Sequence, residues 1–347
     1  MPIKPAESLE NPGGRLVFLD ALRVFALLGV IMIHVTGWIL EEHFGDFPLS
    51  TWLVADVFNS CVRASVPLFV MISGALLLGK SEPLWDFFRK RFSKILIPFF
   101  LYGLLYLGFR WFDEGTPFSV LTIFRSFRRQ EVFFHLWFVY LIVKLYLVTP
   151  LIRFVLRYLS RKHLLLILAF WLLTETIFPF IGVWKGTYLG GYLGYFLLGH
   201  YLRNSDFLAT MKGLLYFICA AAYGFTVFAV YAAAARPDWP NQILSSAAAP
   251  HTLLFAGSLF LIFKNGSWTH SPILTLASDL SYEAYLAHAL FNQYMRALFG
   301  EYLVGNPVTG MLLYFLSTAV LTYLFVFSYK QLFRAFSFSR AQRETTL

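Results

Sequence analysis

Apolar residues run along most of this chain in blocks separated by short polar segments. A bilayer's hydrocarbon core is ~30 Å thick, and ~20 mostly apolar helical residues cross it. By that measure the sequence offers about ten candidate spans, near 16–40, 54–79, 93–112, 133–152, 164–183, 187–203, 213–235, 250–264, 273–295 and 309–329. The pattern predicts an all-α, polytopic membrane protein of about ten transmembrane helices. The short sixth and eighth stretches are expected to be tilted, kinked or partly re-entrant. The first stretch, Leu16 to Leu40, is too long for a signal-peptide core, contains Asp20 and Arg23, and is followed by no small-residue cleavage site, so it reads as a retained span. Residues 1–14 and 336–347 read as flexible cytoplasmic tails, with one membrane domain over 15–335 between them. No soluble domain of useful size is expected, so any chemistry falls within or between helices.

Composition supports lipid as the solvent. The chain is 58% hydrophobic and 14% charged, against about 45–50% and about 25% in average soluble domains. The 39 Phe, 19 Tyr and 9 Trp suit interfacial aromatic belts. A net charge of +9 raises the question of nucleic acid. Loop topology supplies another account. With a cytoplasmic N-terminus, Arg110, Arg125, Arg128, Arg129, Lys185, Arg236 and Arg296 fall outside, and Arg23, Arg63 and Lys144 fall within spans. The rest of the 28 lysines and arginines then fall on the cytoplasmic side. That bias places both termini in the cytoplasm and leaves no need for a nucleic-acid partner. Two cysteines in apolar stretches make neither a disulfide framework nor a metal pattern. Without CxxC, HExxH, P-loop or dinucleotide motifs, no metal and no bound cofactor is expected.

Ionisable groups inside spans are costly, and each one is a functional candidate. In LDALRVFALLGVIMIH, Arg23 and His34 project about 20° apart and lie ~16 Å apart along the helix axis, with Asp20 about 60° from Arg23. One reading is a structural Asp20–Arg23 ion pair with an interfacial histidine. The other is a face lining an enclosed cavity, where a neutral imidazole is suited to take a proton from a hydroxyl. Arg89 and Arg91, in FFRKRF before the third span, are either positive-inside charge or an anion site for a phosphate-rich donor such as a coenzyme A thioester. His135 and Trp137 open the fourth span near the outer interface, where a belt explains the tryptophan better than the histidine. Ser281, Tyr285 and His288 share one stripe of the ninth span, with Ser278 beside it. That stripe is either a polar cavity wall or a set of interhelical hydrogen bonds. Glu175 and Lys144 have no evident partner. Arg63 has Asp56 seven residues before it on a similar face, and Pro67 is placed to kink their helix.

Together these segments resemble the acyltransferase-3 family of membrane O-acyltransferases. The residues that carry the resemblance are Arg23 and His34 in the first span, VPLFVMISGALLLGK at 66–80, Arg89-x-Arg91, HLWFVYLIVKLYLVTPLI at 135–152 and SYEAYLAH at 281–288. They occur in order over nearly the whole chain, and the likeness is greatest to members that O-acetylate enterobacterial surface polysaccharides such as enterobacterial common antigen. The resemblance implies a ten-helix core around an internal cavity in the bacterial inner membrane. It implies cytoplasmic acetyl-CoA or another acyl-CoA as co-substrate, and a surface polysaccharide or lipid-linked glycan as acceptor. His34 matches the family's essential histidine, Arg23 its partner arginine, and Arg89 and Arg91 its donor-binding pair. Asp20 joins His34 and Arg23 as a candidate catalytic residue. His135, Trp137, Glu175, Ser281, Tyr285 and His288 are candidate cavity or acceptor residues. Export of a glycan or lipid-linked intermediate is the alternative function.

Overall fold

The computed structural model describes residues 15–115, 119–180, 188–206, 210–236 and 249–344. They form α1 (Val17–Glu41), α2 (Leu49–Val62), α3 (Ser65–Leu77), α4 (Leu84–Glu114), α5 (Val120–Arg129), α6 (Trp137–Leu156), α7 (Arg161–Phe180), α8 (Tyr188–Arg203), α9 (Lys212–Ala235), α10 (Pro250–Lys264), α11 (Pro272–Gly305) and α12 (Pro307–Glu344). Among the described residues, six segments are long and apolar enough to cross a membrane: Val17–Glu41, Leu49–Leu77, Leu84–Glu114, Trp137–Leu156, Lys212–Ala235 and Pro307–Phe333. The chain is therefore an all-helical, polytopic membrane protein. Helices α7, α8, α10 and α11 occupy the remaining stretches expected to span. Of these, α10 is apolar but has only 15 residues, and Asp279, Glu283, Arg296 and Glu301 interrupt the apolar run of α11. The N-terminal tail, at 1–14, and the end of the fifth stretch, from 181, lie outside the described residues. Helix α12 continues to Glu344, into the stretch read as a tail.

Three boundaries differ from the sequence reading. The second span is broken between Val62 and Ser65. Pro67 is then the third residue of α3, where a missing N–H costs nothing because the first-turn amides have no intrahelical partner. It sits in a helix start and kinks no continuous helix. The segment Arg89 to Lys94 belongs to the first turns of α4, not to a loop, because Pro83, with φ −57°, starts the helix at Leu84. His135 lies in the turn before α6, which begins at Trp137.

Helix α1 is the hub of the bundle and packs against α2, α3, α10, α11 and α12. Glycines set the closest approach elsewhere. A Cβ at Gly74 of α3 would meet the backbone carbonyl of Phe196, and one at Gly199 of α8 would meet the backbone of Met71, so α3 and α8 cross backbone to backbone. The outer faces of α4, α6 and α9 expose Leu101, Leu151 and Phe217, as lipid contact requires. On the inner side tyrosines hold α11 in place. Tyr106 Oη donates to Leu286 O at 2.7 Å, Tyr282 Oη to Ile95 O at 2.8 Å, and Tyr314 Oη to Asn292 O at 2.8 Å.

Cations gather at one end of the bundle, on the carbonyl termini of its helices. Arg153 donates through Nε and Nη2 to Leu77 O at 2.9 and 2.7 Å, Arg203 to Ala75 O at 2.7 Å, and Lys264 Nζ to Leu202 O at 3.0 Å. Those last-turn carbonyls lack intrahelical partners and form the negative end of the helix dipole. At the opposite end lies α5, a short amphipathic helix with Val120, Leu121 and Phe124 exposed and Arg125, Arg128 and Arg129 toward its C-terminus. This is the pattern of a helix lying in the membrane interface.

Candidate active site

A cavity of about 410 Å³ opens among α1, α3, α4, α6 and α11 toward the cationic end. Its polar lining includes Arg23, Ser73, Arg91, Lys94, Tyr146, Ser278, Asp279, Ser281 and Tyr285. The volume falls in the ordinary range for small-molecule sites, about 300–1,000 Å³.

The α1 face predicted from the helical period is built as a relay. Ser278 Oγ accepts from Arg23 Nη1 at 2.9 Å and donates to Asp20 Oδ1 at 2.6 Å. Arg23 Nη1 lies 3.5 Å from the same carboxylate oxygen. Asp20 is buried, and its stronger cationic partner is Arg15, whose Nη2 donates to Oδ1 at 3.0 Å. The Asp20–Arg23 pairing is therefore present on this face, and His34 lies outside the cavity lining. Asp20 is an ion-pair residue that orients Arg23 through Ser278 and does not itself line the cavity. Arg23 does line it.

Arg89 and Arg91 part company. Two residues apart on a helix, their side chains point about 200° apart. Arg91 lines the cavity, whereas Arg89 is exposed and lines none of it. Lys94, one turn on from Arg91, joins the cavity wall instead. Arg91 is fixed by Glu82, with contacts of 2.8 and 3.0 Å, and Glu82 also receives Arg153 at 3.1 Å. The ring of buried Phe87 lies under both guanidinium groups, at 4.4 Å from Arg91 and 4.7 Å from Arg153. Sequence reasoning missed Lys94, Glu82, Phe87 and Arg153, because their association is tertiary.

Burial pushes the Glu82 carboxyl up, but hydrogen bonds and charge from Arg153 and Arg91 outweigh it, so the group sits below its ordinary value. Its contribution to stability is therefore present above the unfolded-state value and is lost as pH falls through the lower folded value. Glu82→Gln is expected to cost about 1.5–3 kcal/mol at neutral pH, as for hydrogen bonds to charged groups. In thermal unfolding of the detergent-solubilised protein, the gap from wild type should close as pH is lowered through the folded value.

Three histidines from distant segments meet beyond the cavity. The His34 ring stacks on His288 at 5.2 Å and 25°, and His135 lies 5.0 Å from His288, edge to face. Tyr285 joins them to the cavity. It lines the cavity, its ring is 5.7 Å from His288, and its hydroxyl donates to the backbone carbonyl of His135. His288 Nδ1 bonds Tyr285 O, and His135 Nε2 bonds Leu286 O. A carbonyl only accepts, so each of these nitrogens carries a hydrogen. Among the described residues, His288 Nε2 and His135 Nδ1 meet no hydrogen-bond partner. His135 and His288 are buried, while His34 keeps part of its surface free beside Phe134, 4.9 Å away. Among the described residues, no cluster of histidine, cysteine, aspartate and glutamate side chains is arranged to hold a metal ion.

The other predicted residues take lesser places. Ser281 lines the cavity and donates to Ser278 O at 2.7 Å. Trp137 packs on Phe138 and Tyr192, behind the wall. Glu175 is half-buried on α7 and Lys144 is exposed on α6; neither lines the cavity. Glu283 pairs with Lys330 of α12 at 2.7 Å. Arg63 donates to Asn59 Oδ1 at 3.3 Å, and Asp56 accepts from Ser60 Oγ at 2.9 Å.

No curated protein and no solved structure matches the chain. A family comparison does. Residues 16–328 match the acyltransferase domain that defines the acyltransferase 3 family. The match runs from the start of α1 into α12 and takes in the cavity, the Asp20–Ser278–Arg23 relay and all three clustered histidines. The chain belongs to the acyltransferase 3 family and is a multi-pass membrane acyltransferase.

Proposed function

We propose that the protein is an O-acetyltransferase of the bacterial inner membrane, moving the acetyl group of cytoplasmic acetyl-CoA to a hydroxyl of a surface polysaccharide or lipid-linked glycan. The observation that carries this reading is one face of α1. It places Arg23 in a cationic cavity and His34, about three turns on, at the histidine cluster that adjoins that cavity through Tyr285. The bias of positive charge assigns the cationic end to the cytoplasm, with both termini there and ten helices crossing the membrane. Arg91 and Lys94 then meet the donor's phosphates, and the cavity takes its pantetheine arm. Arg89 has no part in this site.

His34 is the general base. The acceptor's O–H proton passes to the imidazole as the oxygen forms its bond to the thioester carbonyl carbon. The tetrahedral adduct then breaks its C–S bond. The coenzyme leaves as a thiolate and takes the proton back from the imidazolium. Arg23, about three turns from His34 and held by Ser278 and Asp20, is placed on the donor's path to hold the pantetheine arm, away from the reacting carbonyl.

Acetyl-CoA binding to purified protein in proteoliposomes tests the donor site. Arg91→Ala and Lys94→Ala should each weaken it about tenfold or more, the worth of a charge-assisted hydrogen bond, while Arg89→Ala changes it far less. Equal affinity in all three variants would reject the site. A chain that exports a glycan would neither bind acetyl-CoA nor transfer its acetyl group.

A further inference from the structure

A second cavity, of about 310 Å³, lies at the far end of α4 and is lined by Arg110, Glu114, Gln130, Glu131, Phe134 and Gln293, with Val132 and Phe133 beneath. We infer that it is the acceptor subsite, which holds a neutral sugar ring on Phe134, the ring that contacts His34; this rests on the acetyltransferase reading above. Position is the first support. Arg91 opens into the donor cavity and Arg110 into this one, ~28 Å apart along one helix at ~1.5 Å per residue. That is close to the ~30 Å thickness of the hydrocarbon core, so the two cavities face opposite sides of the membrane. His34 lies between them. On one side, stacked His288 and then Tyr285 lead to the donor cavity; on the other, Phe134 is a direct contact at 4.9 Å.

The chemistry of the lining is the second support. Two carboxamides, Gln130 and Gln293, offer both donors and acceptors to neighbouring hydroxyls. Arg110 is already committed, to Glu114 Oε2 at 2.8 Å and to Glu131 O at 3.0 Å. One arginine against two glutamates does not favour a phosphate here. Phe134 is 52% exposed and presents a ring to the apolar face of a pyranose.

The backbone is the third support. Gln130 follows α5 in the left-handed region, φ 62° and ψ 29°. Glycine usually fills this position, because a Cβ there is strained. The chain keeps a carboxamide where stability alone favours glycine, and that residue lines the cavity.

Acetyl transfer to the glycan fraction extracted from cells lacking the protein tests the inference. Gln130→Gly and Gln293→Ala should each raise the acceptor KM about tenfold, the equivalent of one lost hydrogen bond, and leave the KM for acetyl-CoA unmoved. Gln130→Gly should unfold at or above the wild-type temperature; if it does not fold, Gln293→Ala decides. An unmoved acceptor KM in an active protein would overturn the subsite. A wild-type protein that transfers no acetyl group would overturn the reading beneath it.

Discussion

Replacing His34 by alanine lowers acetyl transfer by about 10²–10⁴-fold, the usual contribution of a positioned general base, and leaves the protein folded in the membrane. The fold should survive because His34 is half-buried and not part of the tight core, unlike His135 and His288. Its loss opens space against Phe134 and His288 but breaks no ion pair. Acetyl-CoA affinity should stay close to that of wild type, since Arg23, Arg91 and Lys94 still line the donor cavity. The loss should therefore appear in kcat. Direct transfer and transfer through an acetyl-imidazole differ in one respect. A transient acyl carrier would exchange labelled coenzyme A into acetyl-CoA without acceptor, and the general-base account predicts no such exchange. Near wild-type turnover in well-expressed His34→Ala would remove the catalytic role.

Replacing Arg23 by methionine is expected to lower kcat/KM by about 10–10²-fold, through loss of a charge-assisted hydrogen bond and a cation on the donor's path. Folding should persist, because Asp20 keeps Arg15 and Ser278 as partners. Arg23→Lys should recover only part of the activity, since an ammonium lacks the guanidinium's planar fork. The competing account is that Arg23 merely balances Asp20. On that account Arg23→Met combined with Asp20→Asn would be active again. The geometry predicts that the double variant stays as impaired as Arg23→Met, because the cavity still lacks its arginine.

Local periodicity made part of this site legible in the sequence. A polar group in an apolar helix stands out, and a 3.6-residue period says which groups share a face. That was enough for Asp20, Arg23 and His34 on α1, and for Ser278, Ser281, Tyr285 and His288 on α11. The same period, applied to Arg89 and Arg91, would have separated them; they looked like a pair because the start of α4 was read as a loop. Association across the chain was not legible. The Glu82 bridge between Arg91 and Arg153, the Phe87 ring under both, and the meeting of His135 with His34 and His288 depend on how helices cross. The break between α2 and α3 hid inside one continuous apolar run. Helix α5 was hidden by its length and its arginines, which read as loop charge although its exposed Val120, Leu121 and Phe124 mark an interfacial helix.

The central claim is that an acetyl group from coenzyme A reaches a glycan hydroxyl by way of His34. Mass spectrometry of surface and lipid-linked glycans tests it most directly, in cells given isotopically labelled acetyl-CoA precursor and carrying wild-type protein, His34→Ala or none. The account predicts labelled acetyl esters on a sugar only with the wild-type protein. Glycans identical across all three would contradict it, as would the same esters with His34→Ala.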